Sequence, residues 1–117
     1  MSIGSSAAEQ QAAGMLAPTS ARGLQQVTGT GATSNATTAT LVVGEMATIL
    51  MGAVACRVGW SATEAGAESA ATTTSPILPA YGRFDWLVTS SDCFVAAEAA
   101  DGASAYEFSV WTSSGSR

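Results

Sequence analysis

The stretch Val54-Ala55-Cys56-Arg57-Val58-Gly59-Trp60 decides the fold class of this chain. Its four large apolar residues recur at every second position and alternate with small or charged residues. A period of two places all four on one face of an extended chain, whereas a helix would scatter them around its axis. The stretch therefore predicts a half-buried β-strand.

Similar short runs of β-branched and aromatic residues lie on both sides of this strand. We predict strands at residues 40–43, 47–51, 83–88, 93–99 and 106–111. The Asp101-Gly102 pair is typical of a tight hairpin, and the last three strands are expected to form a meander. The fold class that follows is all-β, a small sandwich or barrel of about six or seven antiparallel strands.

Two segments interrupt this pattern. Pro76 and Pro79 have no backbone N–H to donate, so residues 76–79 are expected at a sheet edge or a corner. Residues 63–75 are small and polar and predict a long loop, with a weak strand as an alternative at 70–74.

Residues 1–38 contain few large apolar side chains, too few to bury a helix or a sheet independently. We therefore expect an extended N-terminal arm and linker at 1–38 and a compact β domain at 39–117. The arm is expected to become ordered against partner chains. Its candidate partner-binding residues are Ile3, Met15, Leu16, Leu24 and Val27.

A second set of candidate partner-binding residues lies within the predicted strands. Leu87, Phe94 and Trp111 are out of phase with the main apolar faces of their strands. They indicate an apolar patch on an outer sheet face, a feature that tends to mark an interface. The alternative is that the sheet is covered on both faces within its own fold.

The composition argues against catalysis and against several classes of partner. The chain has no histidine, and its nine acids against four arginines give a net charge of −5. No nucleophile elbow, phosphate loop or metal-ligand motif occurs, so we expect no enzyme, cofactor, metal or small-molecule substrate. Isolated arginines disfavour nucleic acid and anionic membranes. Glu45 and Arg57 interrupt the most apolar window, so no spanning helix is expected.

The two cysteines, Cys56 and Cys93, fall on the apolar faces of predicted strands. Cysteine is often buried as a small apolar residue, which favours two reduced thiols in the core. A bridge formed after release into an oxidising medium is the alternative.

Residues 75–111 carry a resemblance to a known group of proteins. A Leu78-Pro79-Ala80 corner precedes a strand, a short turn leads to the strand DCFVAA, and an aromatic-rich strand follows. This order resembles small accessory virion proteins of tailed phages. The resemblance implies a non-catalytic capsid decoration or cement protein, often a homotrimer, that binds the major capsid protein and itself. It also implies assembly in the host cytoplasm and a final place on the capsid surface.

Two other functions stay open at this point. One is a head-fibre or tail-associated adhesin that binds a carbohydrate or a receptor through exposed Trp111 or Tyr106. The other is a hydrolase that uses a pair of carboxylates, drawn from five acids in the C-terminal half. Those acids, which turns and solvated strand faces also explain, are Asp85, Asp92, Glu98, Asp101 and Glu107.

Overall fold

The computed structural model describes residues 22–72 and 75–113, which form strands and one short helix. The strands are β1 Arg22–Thr30, β2 Asn35–Ala36, β3 Met46–Met51, β4 Cys56–Ser61, β5 Ile77–Leu78, β6 Arg83–Leu87, β7 Phe94–Ala99 and β8 Ala105–Ser113. The helix, α1, spans Glu64–Ala70. In these ranges no helix is long and apolar enough to cross a membrane.

The strands form two four-stranded sheets. Sheet 1 has the order β1-β8-β3-β6 and sheet 2 the order β2-β7-β4-β5, and every neighbouring pair is antiparallel. Alternate side chains of both sheets form one apolar core, which includes Ile49, Met51, Val58, Val95, Phe108 and Val110. The prediction of a small all-β sandwich is confirmed.

Strand β4 follows its alternation as predicted. Cys56 and Val58 are buried in the core, and Trp60 is half-buried at its border. The predicted edge position of residues 76–79 also agrees, because β5 is the last strand of sheet 2 and pairs only with the start of β4.

The last three strands do not form the meander that the sequence predicted. Strands β6 and β8 lie in sheet 1 with β3 between them, and β7 lies in sheet 2. The Asp101-Gly102 turn therefore crosses from one sheet to the other instead of closing a hairpin. The turn is stabilised locally, because Oδ1 of Asp101 accepts hydrogen bonds from the amides of Ala103 and Ser104 at 2.8 and 2.9 Å.

The expected boundary between an arm at 1–38 and a domain from 39 onward needs correction for residues 22–38. Strand β1 pairs with β8 from Gln25 to Thr30 and again at Arg22, and β2 pairs with β7, so both belong to the sandwich. Gln25 adds an anchor, since its Oε1 accepts hydrogen bonds from the amides of Thr38 and Ala39 at 2.9 and 3.1 Å. The rest of the predicted arm, residues 1–21, lies outside the described residues.

The loop predicted at residues 63–75 contains helix α1. Thr63 caps the helix by accepting a hydrogen bond from the amide of Gly66 at 3.0 Å. Ala67 and Ala71 pack against Ala36 and Ala96 on the outer face of sheet 2. The small side chains that suggested a loop are therefore the ones that let a helix approach the sheet closely.

The strand predicted at residues 40–43 is absent, and these residues run as a loop into β3. Leu41 is buried in the core, whereas Val42 and Val43 are exposed. The apolar character of residues 41–43 thus comes from one side chain in the core and two on the surface.

Candidate binding surface at the β6 edge

Strand β6 is the last strand of sheet 1 and pairs with β3 on one side. At one end of this pairing the amide of Val88 donates to the oxygen of Glu45 at 2.9 Å. At the other end the amide of Met51 donates to the oxygen of Gly82 at 2.8 Å. The even-numbered residues of this segment therefore direct their backbone groups toward β3.

Backbone groups of successive strand residues point to opposite sides of the strand. The amides and carbonyls of Arg83, Asp85 and Leu87 consequently face away from β3, along the outer edge of sheet 1. No other strand of the described ranges lies beyond that edge. Such a row of backbone donors and acceptors is a template for pairing with another chain.

The outer face of sheet 1 is apolar near this edge. Leu87 is 57% exposed, and its cross-strand neighbour Met46 is 38% exposed. We call these two residues the edge patch. Large apolar side chains exposed next to the last strand of a sheet are unusual, because proteins normally protect sheet edges with charge, proline or a covering element.

One charged pair lies beside the edge patch on the same face. Nε of Arg83 lies 3.1 Å from Oδ1 of Asp85, and that same oxygen accepts a hydrogen bond from Oγ1 of Thr48 at 2.7 Å. Both charged side chains are about two-fifths exposed, at 41% and 42%. The two opposite charges are thus held in fixed positions two residues apart along the edge.

The other face of β6 carries the aromatic side chains. Phe84 and Trp86 point toward sheet 2 and meet Trp60 of β4, with ring centroids 5.4 Å apart for Trp60–Phe84 and 5.7 Å for Trp60–Trp86. Together with Asp92 they line an open cleft of about 280 Å³, which we call the aromatic cleft. Strand β5 pairs only with Cys56 and Arg57 at the start of β4. Phe84, at the rim of the cleft, is 45% exposed.

The two indoles of the cleft differ in their hydrogen bonding. Nε1 of Trp86 donates to the main-chain oxygen of Asp92 at 3.2 Å, which fixes that ring. Nε1 of Trp60 is buried and has no hydrogen-bond partner among the described residues. The part of the aromatic cleft that a ligand could contact is therefore largely apolar. Phe84 is its most exposed ring.

The candidate partner-binding residues predicted within the strands lie in three different environments. Leu87 is on the surface, as its phase indicated. Phe94 is half-buried and packs against the alanine cluster beneath α1, so the sheet 2 face is covered within the fold. Trp111 is on the outer face of sheet 1 but only 9% exposed, and within residues 22–72 and 75–113 its Nε1 has no hydrogen-bond partner.

The candidate partner-binding residues of the predicted arm also lie in different environments. Leu24 is 66% exposed on β1, at the opposite edge of sheet 1 from β6. Val27 is half-buried against the core and is therefore part of the sandwich. Ile3, Met15 and Leu16 lie outside the described residues. Sequence reasoning missed Phe84 and Met46 as surface residues, because their exposure follows from the place of β6 at the end of its sheet.

Three of the acids considered for catalysis, Asp85, Asp92 and Asp101, accept hydrogen bonds from nearby residues. Oδ1 of Asp92 accepts from the amide and the hydroxyl of Thr89 at 2.6 and 3.0 Å. Hydrogen bonds from Ser104 and Ala103 lower the pKa of Asp101 to about 2. Asp92 and Glu107 line different clefts. Among the described residues, no three histidine, cysteine or acidic side chains gather in a way that could hold a metal ion.

Both cysteines are free thiols buried in the sandwich. Burial raises the pKa of Cys56 to about 11, with a smaller contribution from the negative charge of Asp101. A thiol with so high a pKa is a poor nucleophile, because the thiolate is the reactive form.

Comparison with models of known protein families, with curated proteins and with solved structures finds no match to this chain.

Proposed function

We propose that this chain is a non-catalytic structural module of a tailed-phage virion, a decoration or cement protein that binds and reinforces neighbouring coat subunits. The observation that carries the proposal is the β6 edge, where apolar side chains are exposed on both faces of the last strand of sheet 1 in the described ranges. Leu87 and Phe84 are 57% and 45% exposed there. In addition, residues 75–111 carry the resemblance to accessory virion proteins.

A protein surface is the partner that suits this edge best. Main-chain hydrogen bonds from an added strand supply affinity, and side-chain contacts on either face of that strand supply specificity. The edge offers both, since Asp85 and Leu87 present backbone groups and the edge patch presents apolar area. A partner bound in this way would extend sheet 1 across a subunit boundary, which is a mechanical connection.

The chemistry of the site agrees with a binding role. The acids near the edge are held by hydrogen bonds, and Asp85 is occupied by Arg83 and Thr48. The thiol of Cys56 is buried and protonated at neutral pH. Our proposal therefore assigns no reaction to this surface.

The test is to band the particles released by the source cells in a density gradient, and to measure the chain in the particle fraction. The wild-type chain is expected there at a fixed ratio to the main coat protein. L87D is expected to be lost from the particle, because it places a charge in the contact. I77D is the matched control, as Ile77 is 51% exposed at the edge of sheet 2.

Two results would contradict the proposal. The first is a wild-type chain absent from the particle fraction. The second is L87D bound as well as wild type. If L24D is absent from the particle fraction and L87D is present, the contact lies at the β1 edge, where Leu24 is exposed. The assignment to β6 would then also be wrong.

The aromatic cleft favours a second candidate function, an adhesin module that binds carbohydrate. Sugars stack on exposed aromatic rings, and the cleft offers Phe84 beside two tryptophans. Tyr106 and Trp111, the residues first considered for this role, are both buried. A glycan array is expected to show a signal that F84A removes, and an array without signal excludes this candidate.

A further inference from the structure

We propose that the outer face of sheet 1 carries a binding site for an arginine side chain of a partner protein. The ring of Tyr81 is its stacking surface and the carboxylate of Glu107 is its acceptor. The site is lined by β1, β3, β8 and the turn before β6, and it uses neither the edge patch nor the aromatic cleft. It does not depend on the proposed virion role, and a failure of one would leave the other untouched.

Tyr81 occupies a backbone position that its side chain does not favour. It is the third residue of the turn at residues 79–82, in which the amide of Gly82 donates to the oxygen of Pro79 at 2.8 Å. Its φ is +59°, in the left-handed region where turns normally place glycine or asparagine. The amide of Tyr81 donates to the oxygen of Gly52 at 2.8 Å, which holds this conformation. A glycine would form the same turn with less strain, so the turn does not account for a tyrosine.

Packing does not account for Tyr81 either. The residue is 73% exposed, and among the described residues its hydroxyl has no hydrogen-bond partner. Backbone strain of this kind is found most often where a side chain serves a binding or catalytic site. The strained turn therefore holds a large aromatic ring in one place and leaves it accessible to a partner.

Tyr81 borders a cleft of about 240 Å³ whose floor is the end of sheet 1. The pairing of β1 with β8 places Gln26 opposite Ser109 and Thr28 opposite Glu107. All four residues line the cleft together with Tyr81. Amide, hydroxyl and carboxylate oxygens thus lie side by side next to the aromatic residue, and each of them can accept hydrogen bonds.

Glu107 lies close to the Tyr81 turn because Gly52 has no side chain. A Cβ at Gly52 would lie 2.8 Å from Cγ of Glu107 and 3.4 Å from its Oε2. The amide of Gly52 also donates to the main-chain oxygen of Glu107 at 3.0 Å, while the oxygen of Gly52 accepts from Tyr81. One residue therefore positions the acid and the aromatic residue beside each other.

The charge of Glu107 is not neutralised within residues 22–72 and 75–113. No ion pair or hydrogen bond in those ranges engages its carboxylate. On the side of β6, Arg83 and Asp85 form an ion pair at 3.1 Å and add little net charge to the cleft. The whole chain has a net charge of −5. The cleft therefore attracts a cation.

A guanidinium group is the cation that matches all of these groups. Its plane stacks on an aromatic ring such as that of Tyr81, and its paired N–H groups bond both oxygens of a carboxylate such as Glu107. Its remaining N–H groups have acceptors in Gln26 and Ser109. An ammonium group has neither the flat surface nor the paired donors, and a neutral sugar would leave the charge of Glu107 uncompensated. Tyrosine and arginine are also enriched among the residues that dominate protein interfaces.

The experiment is an NMR titration of the isotope-labelled full-length chain with N-acetylarginine methylamide. The probe is expected to shift the amide signals of Gly52, Tyr81, Gly82 and Glu107. Its dissociation constant should be about 1–10 mM, because a single side chain buries little area. N-acetyllysine methylamide should bind at least about threefold more weakly, since it lacks the stacked and paired contacts.

E107Q should weaken binding of the arginine probe at least about threefold, because it removes the charge and keeps the shape. E64Q is the matched control, since it removes one negative charge on helix α1 of the same chain. E64Q is expected to bind as wild type does. Y81F keeps the ring and is also expected to bind as wild type does.

Y81G tests the argument from strain. Glycine adopts a positive φ without cost, so this variant should melt within about 5 °C of wild type or higher. It should nevertheless bind the arginine probe at least about threefold more weakly, because the ring is gone.

Several results would overturn the inference. Absence of shifts at the four amides would do so, as would equal binding of the two probes. E107Q or Y81G that binds as wild type does would show that the acid or the ring takes no part. A melting temperature of Y81G far below that of wild type would mean that Tyr81 serves the fold. Shifts at the same amides with methyl glucoside, and none with the arginine probe, would assign the cleft to a neutral sugar.

Discussion

The hydroxyl oxygen of Tyr106 in β8 lies 2.8 Å from the main-chain oxygen of Ala97 in β7, so one side chain connects the two sheets. The same hydroxyl lies 2.6 Å from the oxygen of Thr33 and accepts a hydrogen bond from Nδ2 of Asn35 at 3.0 Å. Its single proton is shared between the two carbonyls. Tyr106 thus joins sheet 1, sheet 2 and the turn between β1 and β2.

Removing this hydroxyl should destabilise the sandwich. We expect Y106F to lower the free energy of unfolding by about 1–3 kcal/mol, because buried carbonyl groups lose their donor. Chemical denaturation followed by tryptophan fluorescence measures the change. Y81F is the control, since Tyr81 is 73% exposed and should tolerate the change. Equal stability of Y106F and wild type would refute the role of the hydroxyl.

The contact between α1 and sheet 2 depends on the absence of a side chain at Gly59. A Cβ at this position would lie 2.5 Å from the carbonyl carbon of Ala70 and from the nitrogen of Ala71. We expect G59A to cost about 1–3 kcal/mol of stability through overpacking. S69A, on the exposed side of the same helix, should change stability by less than about 0.5 kcal/mol. An unchanged melting temperature for G59A would mean that the helix does not pack at this position.

The turn between the two sheets should be sensitive to acid. Hydrogen bonds to its ionised form lower the pKa of Asp101 from 3.8 to about 2. Because the pKa is lower in the folded chain, the carboxylate stabilises the fold at pH values above the pKa of the unfolded chain. This stabilisation is lost as the pH falls from about 4 toward 2. Melting temperatures of wild type and D101N, measured from pH 2 to 6, should converge toward the acid end. A constant difference across this range would contradict the assignment.

Both thiols should be unreactive in the folded protein. Burial and a pKa near 11 keep Cys56 protonated at pH 8. A thiol reagent added without reductant should react slowly with the native chain and then with two thiols per chain after denaturation. Since the folded pKa is raised from 9.0, stability should also fall as the pH rises above about 9. Fewer than two thiols after denaturation would indicate a bridge.

The sequence predicted those parts of the fold that depend on local pattern. The alternation through β4 requires only its own residues, and Cys56 and Val58 are buried as their phase indicated. The proline-flanked segment at β5 was recognisable as an edge for the same reason. Strand β1 was missed because it has few large apolar residues and is held by backbone pairing with β8.

Features that depend on distant partners were not predictable from pattern. The residues of α1 look like a polar loop until Gly59 and Ala96 provide a surface flat enough for a helix. Likewise, the phase of Phe84 marks it as inward-facing. Only the order of the strands places it at an open edge, where it is exposed. The candidate binding surface is therefore a consequence of sheet order, with Leu87 as its one member visible from the sequence.

Residue-resolved hydrogen exchange of β6 tests the central claim, that this edge is the binding surface, most directly. In the free, dilute protein the amides of Asp85 and Leu87 should exchange quickly, while those of Phe84 and Trp86, bonded toward β3, exchange slowly. In the assembly isolated from its source, the two fast amides should become slow. Fast exchange that persists at Asp85 and Leu87 in the assembly, with new protection elsewhere, would contradict the account.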